Sequence, residues 1–144
     1  MSLLSSQIRN IVDKKLPLVS NLSNVSAILF SMGNVNWAGF YLVINDKLYL
    51  GPFQGEVACT IIEKGKGVCG TSFMNKKSII VPDVHQFKGH IACSTLSNSE
   101  IVVPIIKDGN VVALIDIDSP IFNRFNESDK ADLEEIASFL ADLF

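Results

Sequence analysis

The chain has no excess of basic residues and no long hydrophobic run, and both absences exclude classes of function. Its 12 lysines and arginines are outnumbered by 15 aspartates and glutamates, so the formal net charge is −3. A protein that tracks a phosphate backbone needs clustered positive charge, and nucleic acid is therefore not an expected partner. The apolar stretch 37–44 is far shorter than the ~18 residues that a membrane-spanning helix needs. The sequence predicts a soluble protein with no membrane partner.

Cysteine is also scarce, and its spacing limits what it can do. The three cysteines are Cys59, Cys69 and Cys93, and they include no Cys-x-x-Cys pair, which argues against zinc ribbons and thioredoxin-type motifs. An odd number, together with an N-terminus that does not resemble a secretory signal, favours a reducing, cytoplasmic compartment. A structural zinc site formed by these cysteines and His85 or His90 remains an alternative.

The order of predicted elements indicates the fold class. The length of 144 residues and the hydrophobic content of 48% predict one domain, residues 1–144. Helical spacing before residue 30 predicts two short helices or one bent helix, since Pro17 suits a second helix start. Helical spacing returns near residue 128, with Asn126 or Ser128 as the N-cap. Six short strands are predicted at 37–44, 47–50, 57–62, 78–81, 101–106 and 111–118, with turns at 45–46 and 107–110. This pattern is typical of an α+β domain with a mainly antiparallel sheet.

The surroundings of the cysteines differ. Cys69 lies at a predicted helix start, where the helix dipole and free N–H groups favour a thiolate. Cys93 lies in a predicted loop, where functional residues are common. Cys59 lies inside a predicted strand and is the best candidate for simple packing, a role that any of the three can have, because free cysteine often behaves as a small buried hydrophobe.

Two aspartates in one strand predict an acidic site. Asp116 and Asp118 share a face because side chains alternate along a strand. Partly buried like charges raise at least one pKa and can keep a carboxyl protonated as an acid. Asp118 can alternatively cap the following turn. Glu100 immediately precedes another predicted strand, either at a buried site or as a solvated turn residue.

Aromatic residues alternate with a glycine in the first strand. Trp37, Gly39 and Tyr41 share one face, so that a gap walled by rings is expected between the two aromatics. Such a gap suits a methyl group on sulfur, because sulfur–aromatic contacts are favourable by ~0.3–1.5 kcal/mol. The alternative is that these rings pack under a helix.

These residues together resemble one family, the free methionine-(R)-sulfoxide reductases, which are stand-alone GAF domains. The matching stretches are 36–41 (NWAGFY), 51–55 (GPFQG), 58–60 (ACT), 65–70 (GKGVCG), 82–84 (PDV), 89–93 (GHIAC), 99–104 (SEIVVP) and 116–119 (DIDS). The resemblance implies a GAF fold whose central six-stranded antiparallel sheet lies between helices. Ser94 departs from the family pattern, which usually has an acidic residue after the nucleophile.

The resemblance also implies a substrate, free L-methionine (R)-sulfoxide, and residue roles. Cys93 is implied as the attacking thiolate, with Cys59 and Cys69 as candidates for resolving its sulfenic acid into a disulfide. Glu100, Asp116 and Asp118 are implied to hold the ammonium group and polarise the sulfoxide oxygen. Trp37 and Tyr41 are implied as the methyl-binding wall.

Partners follow from the same resemblance. Thioredoxin is the expected external reductant, neither metal nor flavin is required, and two copies are expected to pair through the terminal helices by analogy with other GAF domains. The alternative is a non-enzymatic GAF module that binds a small ligand or senses oxidants through Cys69 and Cys93. No role is assigned to His85 or His90.

Overall fold

A computed structural model of the protein describes residues 1–90 and 96–144 and places four α-helices around one six-stranded sheet. The helices are α1 (Leu3–Ile11), α2 (Leu18–Phe30), α3 (Gly67–Asn75) and α4 (Glu127–Leu140). The strands are β1 (Trp37–Ile44), β2 (Lys47–Gly55), β3 (Ile61–Ile62), β4 (Ile79–Val81), β5 (Ser99–Lys107) and β6 (Asn110–Ser119). No helix in the described ranges combines the length and the apolar character needed to cross a membrane.

The sheet has the order β3-β2-β1-β6-β5-β4, and every neighbouring pair is antiparallel. Both predicted hairpin turns are present. Asn45 and Asp46 have φ values of 52° and 61°, and Asp108 and Gly109 have 53° and 80°. Two successive positive φ values are characteristic of the type I′ turn, whose twist matches that of the flanking strands. The predicted α+β class and the antiparallel sheet are confirmed.

The two faces of the sheet have different chemistry. One face packs under α1, α2 and α4 in an apolar core that includes Ile115 and Ile117 of β6. The opposite face carries Trp37, Tyr41 and a second apolar cluster that packs against α3. Because side chains alternate along a strand, Asp116 and Asp118 of β6 lie on this second face. The central strands therefore separate an apolar core from a polar, partly covered site.

The ends of the helices follow the sequence signals. Asn126 caps α4 in a reciprocal capping box with Asp129, and Pro17 is the N-cap residue of α2. A capping box satisfies two backbone donors that the first helical turn leaves unpaired. Two separate N-terminal helices are present, and α4 closes the domain as predicted.

One strand prediction was wrong in its extent. A strand was predicted at 57–62, but β3 contains only Ile61 and Ile62, and residues 56–60 form a loop that we call the strap. The carbonyl oxygens of Glu56 and Cys59 accept hydrogen bonds from the side chains of Trp37 and Tyr41 instead of from a neighbouring strand. Conversely, β2 continues to Gly55, well past the predicted end at residue 50, and pairs with β1 along its length.

Candidate active site

Three carboxyl groups meet on the second face of the sheet because of the strand register. Glu100 of β5 pairs with Asp118 of β6, and Asp118 pairs with Trp37 of β1. Asp116 lies two residues before Asp118 and pairs with Gly39. Glu100 and Asp116 are only 7% and 6% exposed, and Asp118 is half-buried. The structure thus brings together all three predicted carboxyls, next to the predicted aromatic wall.

Burial and mutual repulsion change how these carboxyls ionise. The pKa of Glu100 is raised well above its usual range, first by burial and then by the charges of Asp116 and Asp118. The pKa of Asp118 is also raised well above its usual range, by burial and by Asp116. Burial raises the pKa of Asp116, although hydrogen bonds from Glu100 and Cys69 oppose the shift. The cluster therefore retains a proton to higher pH than isolated carboxyls do, as the spacing predicted.

Cys69 is a buried thiol and not the thiolate that its position at a helix start suggested. It lies in the first turn of α3, and its Sγ is 3.4 Å from Oδ2 of Asp116. Its pKa is raised well above the usual range, first by burial and then by Asp116 and Glu100. The prediction of a thiolate was wrong because burial and the acidic neighbours outweigh the attraction of a helix N-terminus. Cys69 is the free cysteine among the described residues.

Of the other two cysteines, only Cys59 lies among the described residues. Cys93, the predicted nucleophile, lies outside the described residues, as does Ser94. Cys59 is half-buried in the strap and packs against the second apolar cluster, so only its predicted place inside a strand was wrong. Its sulfur is part of a disulfide bond, and its carbonyl oxygen accepts a hydrogen bond from the Tyr41 hydroxyl at 2.8 Å. Cys59 therefore lies at the edge of the site, tied to Tyr41 through its backbone.

The aromatic wall has three rings instead of two. Trp37 and Tyr41 stack at 6.1 Å between ring centroids with an interplanar angle of 24°, and Phe53 stacks on Trp37 at 5.2 Å. The predicted gap above Gly39 does not exist, because a Cβ at Gly39 would lie only 2.3 Å from Cβ of Phe53. Gly39 therefore serves the close approach of β2 and not the ligand.

The space available to a small group lies beside the wall. A cavity of about 40 Å³ is lined by Trp37 and Tyr41 on one side and by Asp116 and Asp118 on another. Val57 and Ala58 of the strap and Ile62 of β3 complete its lining. Apolar rings thus face carboxyl groups across one small cavity, where a methyl group can contact the rings while a neighbouring polar or cationic group contacts the carboxyls.

Neither His85 nor His90 joins the one group of described residues that could hold a metal ion. Nε2 of His85 lies 3.0 Å from Oδ1 of Asn98, while His90 is partly buried, with a pKa lowered first by burial and then by His85. Cys69, Glu100 and Asp116 place ligand atoms within 4.8 Å of one another, which is close enough for a metal ion. This group includes neither histidine, and the Cys59 sulfur is oxidised and cannot supply a thiolate.

The family follows from comparison with known proteins. Residues 25–144 match the model of the GAF domain family. The chain is 45% identical over 123 residues to the free methionine-R-sulfoxide reductase of Escherichia coli (strain K12), covering 85% of this chain and 74% of that protein. It is 46% identical over 137 residues to the free methionine-R-sulfoxide reductase of Saccharomyces cerevisiae, covering 89% and 76% of the two chains. The chain belongs to the free methionine-R-sulfoxide reductase family of GAF domains. The resemblance identified from the sequence is thereby confirmed.

Solved structures of the family have the same fold. The structure of fRMsr of Staphylococcus aureus in its reduced form superposes with a TM-score of 0.93 at 46% identity, covering 98% of this chain and 92% of that chain. The free methionine-R-sulfoxide reductase of Neisseria meningitidis in complex with its substrate gives a TM-score of 0.89 at 40% identity, covering 98% and 83%. The fold is therefore shared over nearly the whole chain.

Sequence reasoning missed Phe53 and the attachment of the strap. Phe53 faces Gly39 only because β2 extends beyond residue 50, and the predicted strand ended there. The hydrogen bonds from Trp37 and Tyr41 to the strap join these side chains to backbone atoms 19 and 18 residues away, respectively. The missed signal was the glycine at 39, since glycine in a strand commonly marks a close backbone approach.

Proposed function

We propose that this protein reduces free L-methionine (R)-sulfoxide to L-methionine. The observation that carries the proposal is the cavity in which Trp37 and Tyr41 face Asp116 and Asp118, in a chain of this family. Trp37 and Tyr41 contact the methyl group on sulfur, and the carboxyl cluster, including Glu100, binds the α-ammonium group and the sulfoxide oxygen. A peptide-bound methionine lacks the ammonium group, so the cluster favours the free amino acid.

The carboxyl cluster also supplies the proton that the reaction needs. An oxide dianion is not a viable leaving group, so the sulfoxide oxygen must be protonated as it leaves sulfur. Glu100 is buried and has a strongly raised pKa, and it donates this proton. Asp116, whose pKa is raised less because Cys69 and Glu100 donate hydrogen bonds to it, is the better candidate for the ionised partner of the ammonium group.

The sulfur chemistry then proceeds in three balanced steps. The Cys93 thiolate attacks the sulfoxide sulfur, the oxygen and one proton pass to Cys93 as a sulfenic acid, and methionine leaves. The Cys59 thiol attacks this sulfenic acid, a disulfide forms, and water is released. An external dithiol, for which we propose thioredoxin, reduces the disulfide to two thiols and becomes a disulfide itself. Support for Cys59 over Cys69 as the resolving thiol comes from the disulfide of Cys59 and from the buried thiol state of Cys69.

The test is turnover on four substrates: the separated R and S epimers of methionine sulfoxide, each free and with a blocked amino group. We expect methionine formation from the free R form alone. Cys93→Ser removes all activity, whereas Cys59→Ser still forms one methionine per enzyme without recycling by thioredoxin. Failure of the wild type on every free sulfoxide contradicts the proposal and favours a ligand-binding or sensing module.

A further inference from the structure

The strap is attached to the aromatic wall by hydrogen bonds from the indole N–H of Trp37 and the hydroxyl of Tyr41. Nε1 of Trp37 donates to the carbonyl oxygen of Glu56 at 3.0 Å, and the Tyr41 hydroxyl donates to that of Cys59 at 2.8 Å. The end of the strap is held by the backbone N–H of Leu50, which donates to the carbonyl oxygen of Thr60 at 3.0 Å. Three backbone carbonyl groups thus anchor a short loop that contains Cys59.

The outer surface of the strap has little to hold it. The side chain of Val57 is 87% exposed, and Glu56 and Thr60 are exposed as well. The loop leaves β2 through Gly55, whose φ of +130° L-residues rarely adopt, and a Cβ there would lie 2.6 Å from Cδ1 of Trp37. The strap is therefore held by the aromatic wall beneath it and by the disulfide of Cys59, with little packing on its outer side.

Tyr41 is the anchor best suited to a fixed position. Its side chain is only 2% exposed, and its ring is stacked against Trp37. Burial, followed by the charge of Asp116, raises the pKa of its phenol far above the usual range, so that the hydroxyl remains a donor at every working pH. The hydroxyl of this buried ring therefore fixes the position of the Cys59 backbone next to the cavity through one hydrogen bond.

We propose that Tyr41 is a positioning residue for Cys59, and that its hydroxyl holds the strap where Cys59 closes the disulfide with the oxidised nucleophile. This inference rests on the proposed function, in which the Cys59 thiol displaces water from the Cys93 sulfenic acid. A disulfide forms without strain only when the two Cα atoms are about 4.4–6.8 Å apart. Holding one partner inside that range raises the fraction of time in which the two sulfurs can react.

Tyr41→Phe tests the proposal, because it removes the hydroxyl and keeps the ring in the wall. Tyr49→Phe is the matched control, since Tyr49 is the other tyrosine and lies on β2 away from the cavity lining. Each reduced enzyme is mixed with one equivalent of free (R)-sulfoxide in the presence of dimedone, which traps sulfenic acid in competition with Cys59. Mass spectrometry then gives the ratio of dimedone adduct to disulfide.

We expect this ratio to rise about three- to tenfold in Tyr41→Phe, the range that corresponds to the loss of one net hydrogen bond. Tyr49→Phe gives the wild-type ratio. Methionine released in the same single turnover reports the first step, so an inactive wild type contradicts the proposed function and leaves the ratio undefined. An unchanged ratio in an active Tyr41→Phe enzyme overturns the role of the hydroxyl.

A second pair of variants keeps the test independent of Tyr41 itself. Glu56→Gly and Glu56→Ala both remove an exposed side chain, but glycine gives the strap more backbone freedom. We expect Glu56→Gly to raise the adduct ratio about two- to fivefold relative to Glu56→Ala. Equal ratios would show that the mobility of the strap does not control disulfide closure.

Discussion

Replacing Glu100 by Gln separates the stability of this protein from its proposed chemistry. Glu100 is buried, with a pKa raised well above its usual range by burial and by Asp116 and Asp118. Between its ordinary pKa and its raised one, the folded protein binds a proton that the unfolded chain has released, so the free energy of unfolding falls as the pH rises. Each unit of raised pKa costs the wild type about 1.4 kcal/mol at pH values above both.

Glu100→Gln removes this cost because the amide does not ionise in either state. We expect the variant to match the wild type near pH 4 and to exceed it in free energy of unfolding by an amount that grows as the pH rises to 8. Urea unfolding at half-unit steps of pH measures the difference. We also expect kcat to fall by about 10²–10⁴ if Glu100 donates the proton.

The control for this prediction is Glu63→Gln on the surface. Glu63 forms an ion pair with Lys47 at 3.4 Å and is 58% exposed, so its removal changes stability little. A Glu100→Gln difference that does not grow between pH 4 and pH 8 would show that Glu100 is ionised in the folded protein. Such a result would refute the acid role, whatever the effect on kcat.

Three further predictions follow from single contacts. The Cys69 thiol should resist iodoacetamide at pH 8 in the folded protein and react after unfolding, because burial and Asp116 raise its pKa. Peptide mapping by mass spectrometry gives the modified fraction. Rapid labelling of the folded protein would contradict this prediction. Gly39→Ala places a Cβ 2.3 Å from Cβ of Phe53 and should lower the free energy of unfolding, measured by urea denaturation, by more than about 2 kcal/mol. An unchanged free energy of unfolding would mean that β2 shifts away from the new methyl group at little cost. Asn126→Ala removes the α4 capping box and should cost about 1 kcal/mol, seen by calorimetry as a Tm about 3 °C lower, and an unchanged Tm would show that water replaces the cap.

Local periodicity was sufficient to predict the acidic side of the site. Asp116 and Asp118 were placed on one face because a strand has a period of two, whatever it packs against. The two hairpin turns were equally local, since Asn45-Asp46 and Asp108-Gly109 supply the positive φ values that type I′ turns need. Fold class followed from the order of these elements.

Features that depend on contacts between distant segments could not be read from the sequence. The pKa of Cys69 depends on how deeply α3 is buried against the sheet, and the helix-start argument contained no such information. The strap has strand-like composition, yet its carbonyl groups are bonded by Trp37 and Tyr41. Its true conformation was therefore decided by two side chains on another strand.

The alternation along β6 explains how the fold tolerates a buried acidic cluster. Ile115 and Ile117 are fully buried in the helix-covered core, and each lies next in the chain to an aspartate on the other face. Full burial of such an isoleucine contributes roughly 1.5–3 kcal/mol, and this gain opposes the cost of burying a carboxyl whose pKa is raised. The two faces of β6 therefore have separate roles. Ile115 and Ile117 stabilise the core on one face, and Asp116 and Asp118 line the candidate site on the other.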